Sequence, residues 1–387
     1  MCNRLLFGCI SIFSLLYYKI EIQLKAETRY PLFIYSFSEK RLIMGKKQNV
    51  TFSDIARFTN FSKTTISRYF NNPDSLTIEN QKIISDALVK LNYQENKVAR
   101  ILANGKTEFV GIIIPNLYLH YYSEILNQIL LSYEKYGYKF LIFIGNENEE
   151  TERRYIQELL AYKIEGLIIL SHTIPSRELA DLHIPVVAIE REDQFISSVN
   201  TDNYTGALQA LKLLDEHNCE IMLHINTPTL ETTPAYGRIR GFQDYCREHQ
   251  LDSEMFVQDL GNNYEETQAE LQKLLTVIEE KYKEKRKGIF VSNDTYANIL
   301  LNLLIRKYGC FPEDYYLVGF DNSPVSQQAV FPISTIGQQI SCIAREAMKL
   351  LVEQMDSQKK RIPALLSEPV HKTIEPILFR RETTEKK

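Results

Sequence analysis

Two groups of side chains in this sequence have the residue types and the spacing needed to bind another molecule. The first lies between residues 62 and 71, where lysine, arginine and hydroxyl-bearing residues are concentrated. Such groups neutralise and hydrogen-bond a polyanion. The second group consists of polar and aromatic residues found after apolar, strand-like segments: Asn116, Tyr121, Tyr122, His172, Asn293, Asp294, Asp321 and Asn322. In open parallel sheets, ligands bind beyond the carboxyl ends of the strands, so this group predicts a small-molecule site.

The first group needs a helical frame, and the preceding residues carry the signals for one. Thr51 and Asp54 match a T-x-x-D helix start. The helix is predicted over 54–58, and its inward-facing residues are Ile55, Ala56 and Phe58. Asn60 suits the turn that follows, because asparagine tolerates a left-handed backbone better than most residues.

Two more helices complete the predicted headpiece. Ser62 caps a helix over 63–70, and apolar residues at helical spacing predict a third over 78–91. The apolar positions of this third helix are Ile83, Ile84, Ala87, Leu88 and Leu91. Two short helices on a tight turn, with a supporting helix, form a helix-turn-helix whose second helix enters the major groove of DNA. The headpiece is predicted to span 44–94.

The same stretch resembles the lactose-repressor/galactose-repressor (LacI/GalR) family at many fixed positions. Residues 50–71 are VTFSDIARFTNFSKTTISRYFN, and the family pattern is V-T-x-x-D-V-A-x-x-A-G-V-S-x-x-T-V-S-R-x-L-N. The sequence departs from the family at Asn60 and Asn92, where the family has Gly, and at Glu95, where it has Pro. Each departure loosens a turn and leaves the recognition positions intact.

The resemblance implies DNA-contacting roles in the headpiece. It implies that Lys63, Thr64 and Arg68 contact bases, and arginine can bind guanine O6 and N7 through two hydrogen bonds. Phosphate contacts are implied for Thr51, Ser62, Thr65, Ser67 and Asn71. The alternatives are an intramolecular ion pair for Arg68, and simple occupation of helix positions for Thr65 and Ser67.

Residues 95–107 resemble the family's hinge helix and linker. The helix itself, 96–103, is too short to be stable alone in water, so DNA and a partner hinge would have to order it. The resemblance implies that Arg100 faces phosphates and that Leu102 inserts into a minor-groove step and kinks the duplex. The alternative for Leu102 is packing against the second subunit of a dimer.

Beyond residue 107, strand-like and helical segments alternate. Strands are predicted over 109–115, 139–144, 165–170, 184–190, 220–225, 288–292 and 315–320. The helices between them include 121–136, 151–162, 204–217 and 295–308. This alternation predicts an α/β fold with doubly wound parallel sheets, two of them given the number of strands.

This region also resembles the two-lobed effector domain of the LacI/GalR family, which is similar to periplasmic sugar-binding proteins. Residues 199–206 match V-x-x-D-N-x-x-G, residues 238–242 match R-x-x-G-F, and 292–294 and 318–321 match two further signatures. The implied effector contacts are Tyr121, Tyr122, Asp202, Arg238 and Asp294. Charged groups form short, directional bonds with sugar hydroxyls. Residues 108–387 are therefore expected to bind a sugar or sugar phosphate and to form the dimer.

Other roles remain open for several of these residues. Asp202 could cap a helix, and the same role or turn closure is preferred for Asp321, which is expected at the crossing between the lobes. Tyr121 and Tyr122 could pack as core rather than contact a ligand, and their rings would also suit a nucleobase. The family's G-H is replaced here by Asn218–Cys219.

The first 43 residues match neither predicted domain. Residues 5–18 form an apolar run that is shorter than the roughly 20 residues a membrane-spanning helix needs. We interpret 1–43 as the product of an upstream start; a membrane anchor or export signal is the alternative. The six cysteines show neither disulfide nor zinc-ligand spacing, so no metal or cofactor is predicted and a reducing cytoplasm is expected.

Charge is divided unevenly along the chain. Residues 44–107 carry a net charge of +5, whereas 108–387 carry -12. A small basic module on an acidic body fits a DNA-binding regulator. We predict a cytoplasmic, homodimeric repressor of a sugar operon that binds a pseudo-palindromic double-stranded operator and no membrane. The alternatives are an exported sugar-binding receptor, a regulator responding to a nucleobase-type ligand, and an enzyme; no hydrolase, P-loop or dinucleotide motif supports the last.

Overall fold

The computed structural model describes residues 50–95, 106–358 and 368–385. The chain divides into two units, the first ending at residue 96. The predicted extension 1–43 and the predicted hinge helix, with Arg100 and Leu102, lie outside the described residues. Within the described ranges, no helix is both long enough and apolar enough to cross a bilayer.

Between residues 50 and 95, the first unit contains three α-helices, in agreement with the predicted helix-turn-helix. They are α1 (Phe52–Thr59), α2 (Lys63–Asn71) and α3 (Ile78–Lys90). The Asp54 carboxylate accepts hydrogen bonds from the Thr51 amide and hydroxyl, which holds the start of α1. Asn60, in the turn, has a left-handed backbone with φ 55°, as predicted.

The headpiece core is smaller than the sequence indicates. Ile55, Ile66 and Ile84 are fully buried, one from each helix. Phe58, predicted to face inward, is 52% exposed. The buried face of α1 runs through Phe52, Ile55 and Ala56, and at about 100° per residue Phe58 lies on the other side of Ile55 from Phe52 and Ala56. Ile83 is 42% exposed, since it lies about 100° around α3 from Ile84.

The second unit has two lobes, each built on a six-stranded sheet within the described residues. Lobe 1 contains, in chain order, β1 (Phe109–Ile114), α4 (His120–Leu131), α5 (Tyr133–Tyr136), β2 (Lys139–Ile144), α6 (Glu149–Ala161), β3 (Gly166–Ile169), α7 (Ser176–Ala180), β4 (Val186–Ile189) and β5 (Ser197–Thr201). The predicted helix over 121–136 is thus two helices. These strands are parallel, and the apolar runs of β1, β3 and β4 are buried on both faces.

Lobe 2 follows directly. It contains α8 (Asn203–Asp215), β6 (Ile221–Asn226), α9 (Gly237–Glu248), β7 (Ser253–Val257), α10 (Tyr264–Lys281), β8 (Lys287–Val291), α11 (Asp294–Tyr308), β9 (Tyr315–Phe320), α12 (Pro324–Gln328) and β10 (Ser334–Gly337). The seven strands predicted in the two lobes are confirmed to within two residues at each end, whereas β5, β7 and β10 have no counterpart in the prediction.

The chain then returns to both lobes. Helix α13 (Ile340–Gln358) and strand β11 (His371–Ile374) belong to lobe 1, where β11 pairs with β5. Strand β12 (Ile377–Phe379) pairs antiparallel with β10 in lobe 2. The strand orders β11-β5-β4-β3-β1-β2 and β12-β10-β9-β8-β6-β7 therefore require three passages between the lobes: after β5, after β10 and after β11.

Candidate DNA-binding helix and effector cleft

Helix α2 presents a continuous polar face to solvent. Ile66, on its opposite side, is fully buried and fixes the helix against the headpiece core. The residues Lys63, Thr64, Arg68 and Asn71 are exposed, and Ser67 is half-buried beside them. Spacings of four residues place these side chains in two adjacent rows. The helix thus exposes the side chains predicted to contact DNA on one surface.

Several hydroxyl and amide groups near α2 have hydrogen-bond partners of their own. Ser62 caps the helix as predicted, and its Oγ accepts from the Thr65 amide at 3.1 Å. The Ser62 and Thr65 hydroxyls also lie 2.8 Å apart. Asn71 Nδ2 donates to Ser67 Oγ at 3.1 Å. These groups support the helix, and the prediction that they also contact phosphate stays a prediction.

Arg68 and Lys63 are different, because neither is neutralised locally. Arg57 on α1 forms an ion pair with Asp54 at 3.6 Å. Among the described residues no such partner is found for Arg68 or Lys63, so the intramolecular ion pair considered for Arg68 is not formed there. Two exposed cations on one face leave a positively charged surface.

A cavity of about 710 Å³ lies between the two lobes of the second unit. It is within the size range of small-molecule sites. Of the predicted effector contacts, Tyr121, Tyr122 and Arg238 line it. Asn116, His172 and Asn293, singled out because they follow strands, also line it, as does Asp321. The carboxyl ends of the strands in both lobes therefore supply much of its wall.

Arg238, in the first turn of α9, is held in place by three contacts. Its Nε donates to Asn203 Oδ1 at 2.8 Å, and its Nη1 donates to the Ser292 carbonyl at 2.6 Å. The guanidinium also lies 3.8 Å from the centre of the Phe320 ring, in a cation–π arrangement. The side chain is thus preorganised at the cavity wall before any ligand is present.

Glu190 and Gln338 link the lobes at the floor of the cavity. Glu190, at the end of β4, accepts hydrogen bonds from the Thr201 amide and from Asn203 Nδ2. Gln338, in the passage after β10, accepts from the Thr201 hydroxyl at 2.5 Å and donates to Asp321 Oδ1 at 2.7 Å. The passages between the lobes thus share one buried polar network.

Burial sets the protonation of this network. It raises the pKa of Asp321, and Arg238 opposes that rise. It also raises the pKa of Glu190, again against Arg238. Burial and the positive charge of Arg191 lower the pKa of His172 to about 4, so this imidazole is neutral at pH 7. Burial raises the pKa of the Tyr121 and Tyr122 phenols, which remain protonated donors.

Asp202 and Asp294 occupy other positions than those expected. Asp202 caps α8, where its carboxylate accepts from the Thr205 amide at 2.9 Å and the Thr205 hydroxyl at 2.7 Å. Asp294 is fully buried inside lobe 2 and accepts from the Ser323 amide and the Thr335 hydroxyl, both at 2.7 Å. Neither belongs to the described residues that line the cavity. Both carboxylates organise the lobe behind it.

Comparison with known proteins follows this division of the chain. Residues 107–277 match the family model described as "Periplasmic binding proteins and sugar binding domain of LacI family". Residues 210–375 match the model "Periplasmic binding protein-like domain". The ribose operon repressor of Halalkalibacterium halodurans is 28% identical over 322 residues, which are 82% of this chain and 95% of that protein. The chain belongs to the LacI/GalR family.

Two further curated relatives of this LacI/GalR protein come from Streptococcus mutans. Its sucrose operon repressor is 26% identical, over 79% of this chain and 93% of the relative. Its catabolite control protein A is 25% identical, over 82% of this chain and 94% of the relative. A solved lac repressor dimer bound to operator and an anti-inducer is similar in fold, with a TM-score of 0.73, 20% identity, and coverage of 87% and 99% of the two chains.

Several residues that line the cavity are not among the effector contacts predicted from the sequence. Glu190 was assigned to the end of a strand, and Gln338 follows a four-residue strand that no apolar run indicates. Asn226 and Tyr296 also line the cavity. Asn226 is the last residue of β6, so the rule used for other strand ends could have found it. Asp321 was preferred as a structural residue; it lines the cavity and also bonds Gln338.

Proposed function

We propose that this protein is a sequence-specific transcriptional repressor of a sugar-utilisation operon, controlled by a sugar bound between its lobes. The observation behind the proposal is that one chain combines an unneutralised basic helix face with a preorganised polar cleft. The names of its relatives agree: ribose and sucrose operon repressors. The proposal includes no catalytic step, and it places the protein in the cytoplasm, where its DNA target is.

On DNA, α2 enters the major groove and uses Lys63, Thr64 and Arg68 to contact base edges. Thr51, Ser62, Thr65, Ser67 and Asn71 contribute phosphate contacts that orient the headpiece. Two copies of the chain form a homodimer whose headpieces bind the half-sites of a pseudo-palindrome. Arg100 and Leu102 act at the centre of the operator, on phosphate and on a minor-groove step.

The effector binds Arg238, Tyr121 and Tyr122 in the cleft and favours one arrangement of the lobes. Because ligand and DNA bind the same dimer, each must alter the affinity of the other by the same factor. Asp321 and Gln338 connect the cavity directly to a passage between the lobes, which gives the ligand a route to lobe geometry. Tyr121 Oη is buried and has no hydrogen-bond partner in the described part of the chain, and a ligand hydroxyl would supply one.

The DNA-binding part of the proposal is tested by the double variant Lys63→Ala/Arg68→Ala. We expect specific operator affinity to fall by about 100-fold or more in a fluorescence anisotropy titration, because two base contacts and two positive charges are lost together. Lys82→Ala/Lys90→Ala removes the same charge from α3 and is the matched control, expected to change affinity only a few-fold. Unchanged affinity and selectivity in the first variant would refute the proposal.

A further inference from the structure

The walls of the cavity carry an excess of acidic groups. Glu190 and Asp321 lie at its floor, and Glu147 and Asp259 are exposed residues of its lining. Asp321 is largely protonated at pH 7, because burial raises its pKa to about 8. Against the other three carboxyl groups, Arg238 is the one lining side chain among the described residues with a permanent positive charge. His172 does not add a second, because its lowered pKa of about 4 leaves it neutral at pH 7.

Two of the five N–H donors of this one guanidinium are already used within the protein. Phosphate and carboxylate are bound best by two parallel N–H donors of the arginine fork. In Arg238, Nε donates to Asn203 and Nη1 donates to the Ser292 carbonyl, so two of its three nitrogens are already engaged. Its positive charge also acts on Glu190 and Asp321, since Arg238 opposes the rise that burial causes in the pKa of both.

The start of helix α11, at the cavity, provides no substitute. Asn293 lines the cavity and caps α11, with its Oδ1 accepting from the Tyr296 amide at 2.9 Å. The next residue, Asp294, places a buried carboxylate in the first turn of the same helix. The positive end of the α11 dipole is therefore already compensated within the protein.

The same cavity offers good partners to an uncharged polyol. Tyr121 and Ser292 both line the cavity. Their hydroxyl oxygens are buried and have no hydrogen-bond partner among the described residues. Asn116 and Asn226 add amide groups, and Tyr122 adds an aromatic face. Hydroxyls both donate and accept, so a sugar can satisfy phenol, carboxyl and amide groups together, without bringing a charge into an acidic site.

We infer that this cleft selects uncharged sugars and rejects their phosphate esters. The inference rests on the proposed function, because it specifies the chemical class of the effector of the same site. A phosphate group in this cavity would lose its hydration and meet several carboxyl groups, and among the described lining residues one partly engaged guanidinium is the only permanently cationic side chain to replace the lost water. The regulator therefore responds to a sugar before phosphorylation, or to one that is never phosphorylated.

The test uses matched pairs on the full chain at pH 7.5. D-ribose and D-ribose 5-phosphate, D-glucose and D-glucose 6-phosphate, and D-fructose and D-fructose 6-phosphate are screened by thermal shift, followed by calorimetric titration of each pair that contains a binder; free disaccharides, including sucrose, extend the uncharged set. We expect at least one uncharged sugar to bind, and any phosphate ester of it to bind at least about 30-fold more weakly. Equal or tighter binding of an ester overturns the inference.

Charge variants show whether the carboxyl groups cause the selectivity. Glu147→Gln/Asp259→Asn removes two of them and should narrow the ratio of sugar to ester affinity by about 3- to 10-fold, with a smaller effect at high salt. Glu158→Gln/Glu248→Gln removes the same charge from exposed positions outside the cavity lining and should leave the ratio unchanged. An identical ratio in both variants would contradict the electrostatic explanation.

Operator binding separates this inference from the proposed function. If the chain binds a specific operator but no uncharged sugar raises its melting temperature, the inference on the effector fails and the DNA-binding role stands. If sugars bind and no specific operator is found, the repressor function fails while the selectivity of the cleft holds. Both readouts come from the same protein preparation.

Discussion

The recognition helix and the effector cleft use charged side chains in opposite ways. On α2, Lys63 and Arg68 are exposed and have no carboxylate partner among the described residues. In the cleft, Arg238 is fixed by Asn203, Ser292 and Phe320, close to buried carboxyl groups. A DNA surface brings its own dense charge, so the helix needs only to expose cations. A small neutral ligand brings none, so the cleft must hold its polar groups ready.

This contrast implies that the two regions can be damaged separately. The largest expected effect comes from Ile66→Ala, which removes a fully buried side chain from α2. We expect the free energy of unfolding of the headpiece to fall by about 2–5 kcal/mol. Hydrogen exchange of the amides of residues 52–90 should accelerate and operator binding should be lost, with the sugar-induced thermal shift of the second unit intact. Loss of sugar binding as well would contradict the separation.

Asp294→Ala tests which role the buried carboxylate plays. It leaves the Ser323 amide and the Thr335 hydroxyl without their acceptor, at a cost of about 1–3 kcal/mol for each donor. We expect a lower free energy of unfolding of the second unit in urea titrations, with Asp294→Asn less destabilising. If sugar affinity instead falls more than 10-fold at unchanged stability, Asp294 contacts the effector, as the sequence predicts.

Arg238→Ala should weaken sugar binding, whereas Asp294→Ala should lower stability. Hydrogen bonds to a charged group contribute about 1.5–3 kcal/mol, so we expect sugar binding to weaken by about 10- to 100-fold in calorimetric titrations. Operator affinity without sugar should be unchanged. Arg240→Ala is the matched control on the same helix, since Arg240 is exposed and lies over the Tyr204 ring. Equal effects of the two variants would exclude a specific role for Arg238.

The stability of the two-lobed unit should depend on pH through two histidines whose pKa values are lowered by burial. Burial lowers the pKa of His172 and His224 to about 4 from an ordinary value of 6.5. Each therefore contributes stability that is present above pH 6.5 and is lost as the pH falls towards 4, at about 1.4 kcal/mol per pH unit. Asp321 and Asp294 act in the opposite direction, because their raised pKa values reduce stability as the pH rises.

Comparison of variants isolates the histidine contribution. In urea titrations at pH 7.5, 6.0 and 5.0, the free energy of unfolding of the parent should fall on acidification relative to that of His224→Gln, because only the parent carries the lowered pKa of His224. His183→Gln, which changes an exposed histidine, is the control and should retain the parental slope. A slope in His224→Gln that equals that of the parent would contradict the assignment of a neutral, buried imidazole.

The headpiece could be predicted closely from sequence because its signals are local. The T-x-x-D start, the left-handed Asn60 and the Ser62 cap act within four residues, and all three are present in the structure. The third helix also begins at the predicted residue. The prediction of the headpiece core fails at Phe58 and Ile83, because short amphipathic helices expose apolar residues at the edge of their buried face.

The cleft could be predicted only in part, because its wall is assembled from distant segments. Strand ends located Asn116, His172 and Asn293, and the motif match located Arg238. Gln338 lies in a passage between the lobes that follows a short strand without an apolar run, and such strands leave no periodic signal. Asp202 shows what a family motif cannot decide. An aspartate that caps a helix and an aspartate that binds a ligand can occupy the same position at the helix start, so the motif alone does not distinguish the two roles.

Because the chain passes between the lobes three times, the lobes cannot be completed one after the other during synthesis. Lobe 1 obtains its edge strand β11 only after every strand of lobe 2 except β12 has been synthesised. The three-helix headpiece, by contrast, is complete in sequence before β1 begins. On a ribosome, which releases the chain from its amino end, the DNA-binding part can mature well before the part that regulates it. A chain cut short before residue 371 would lack a strand in both lobes and keep its headpiece whole.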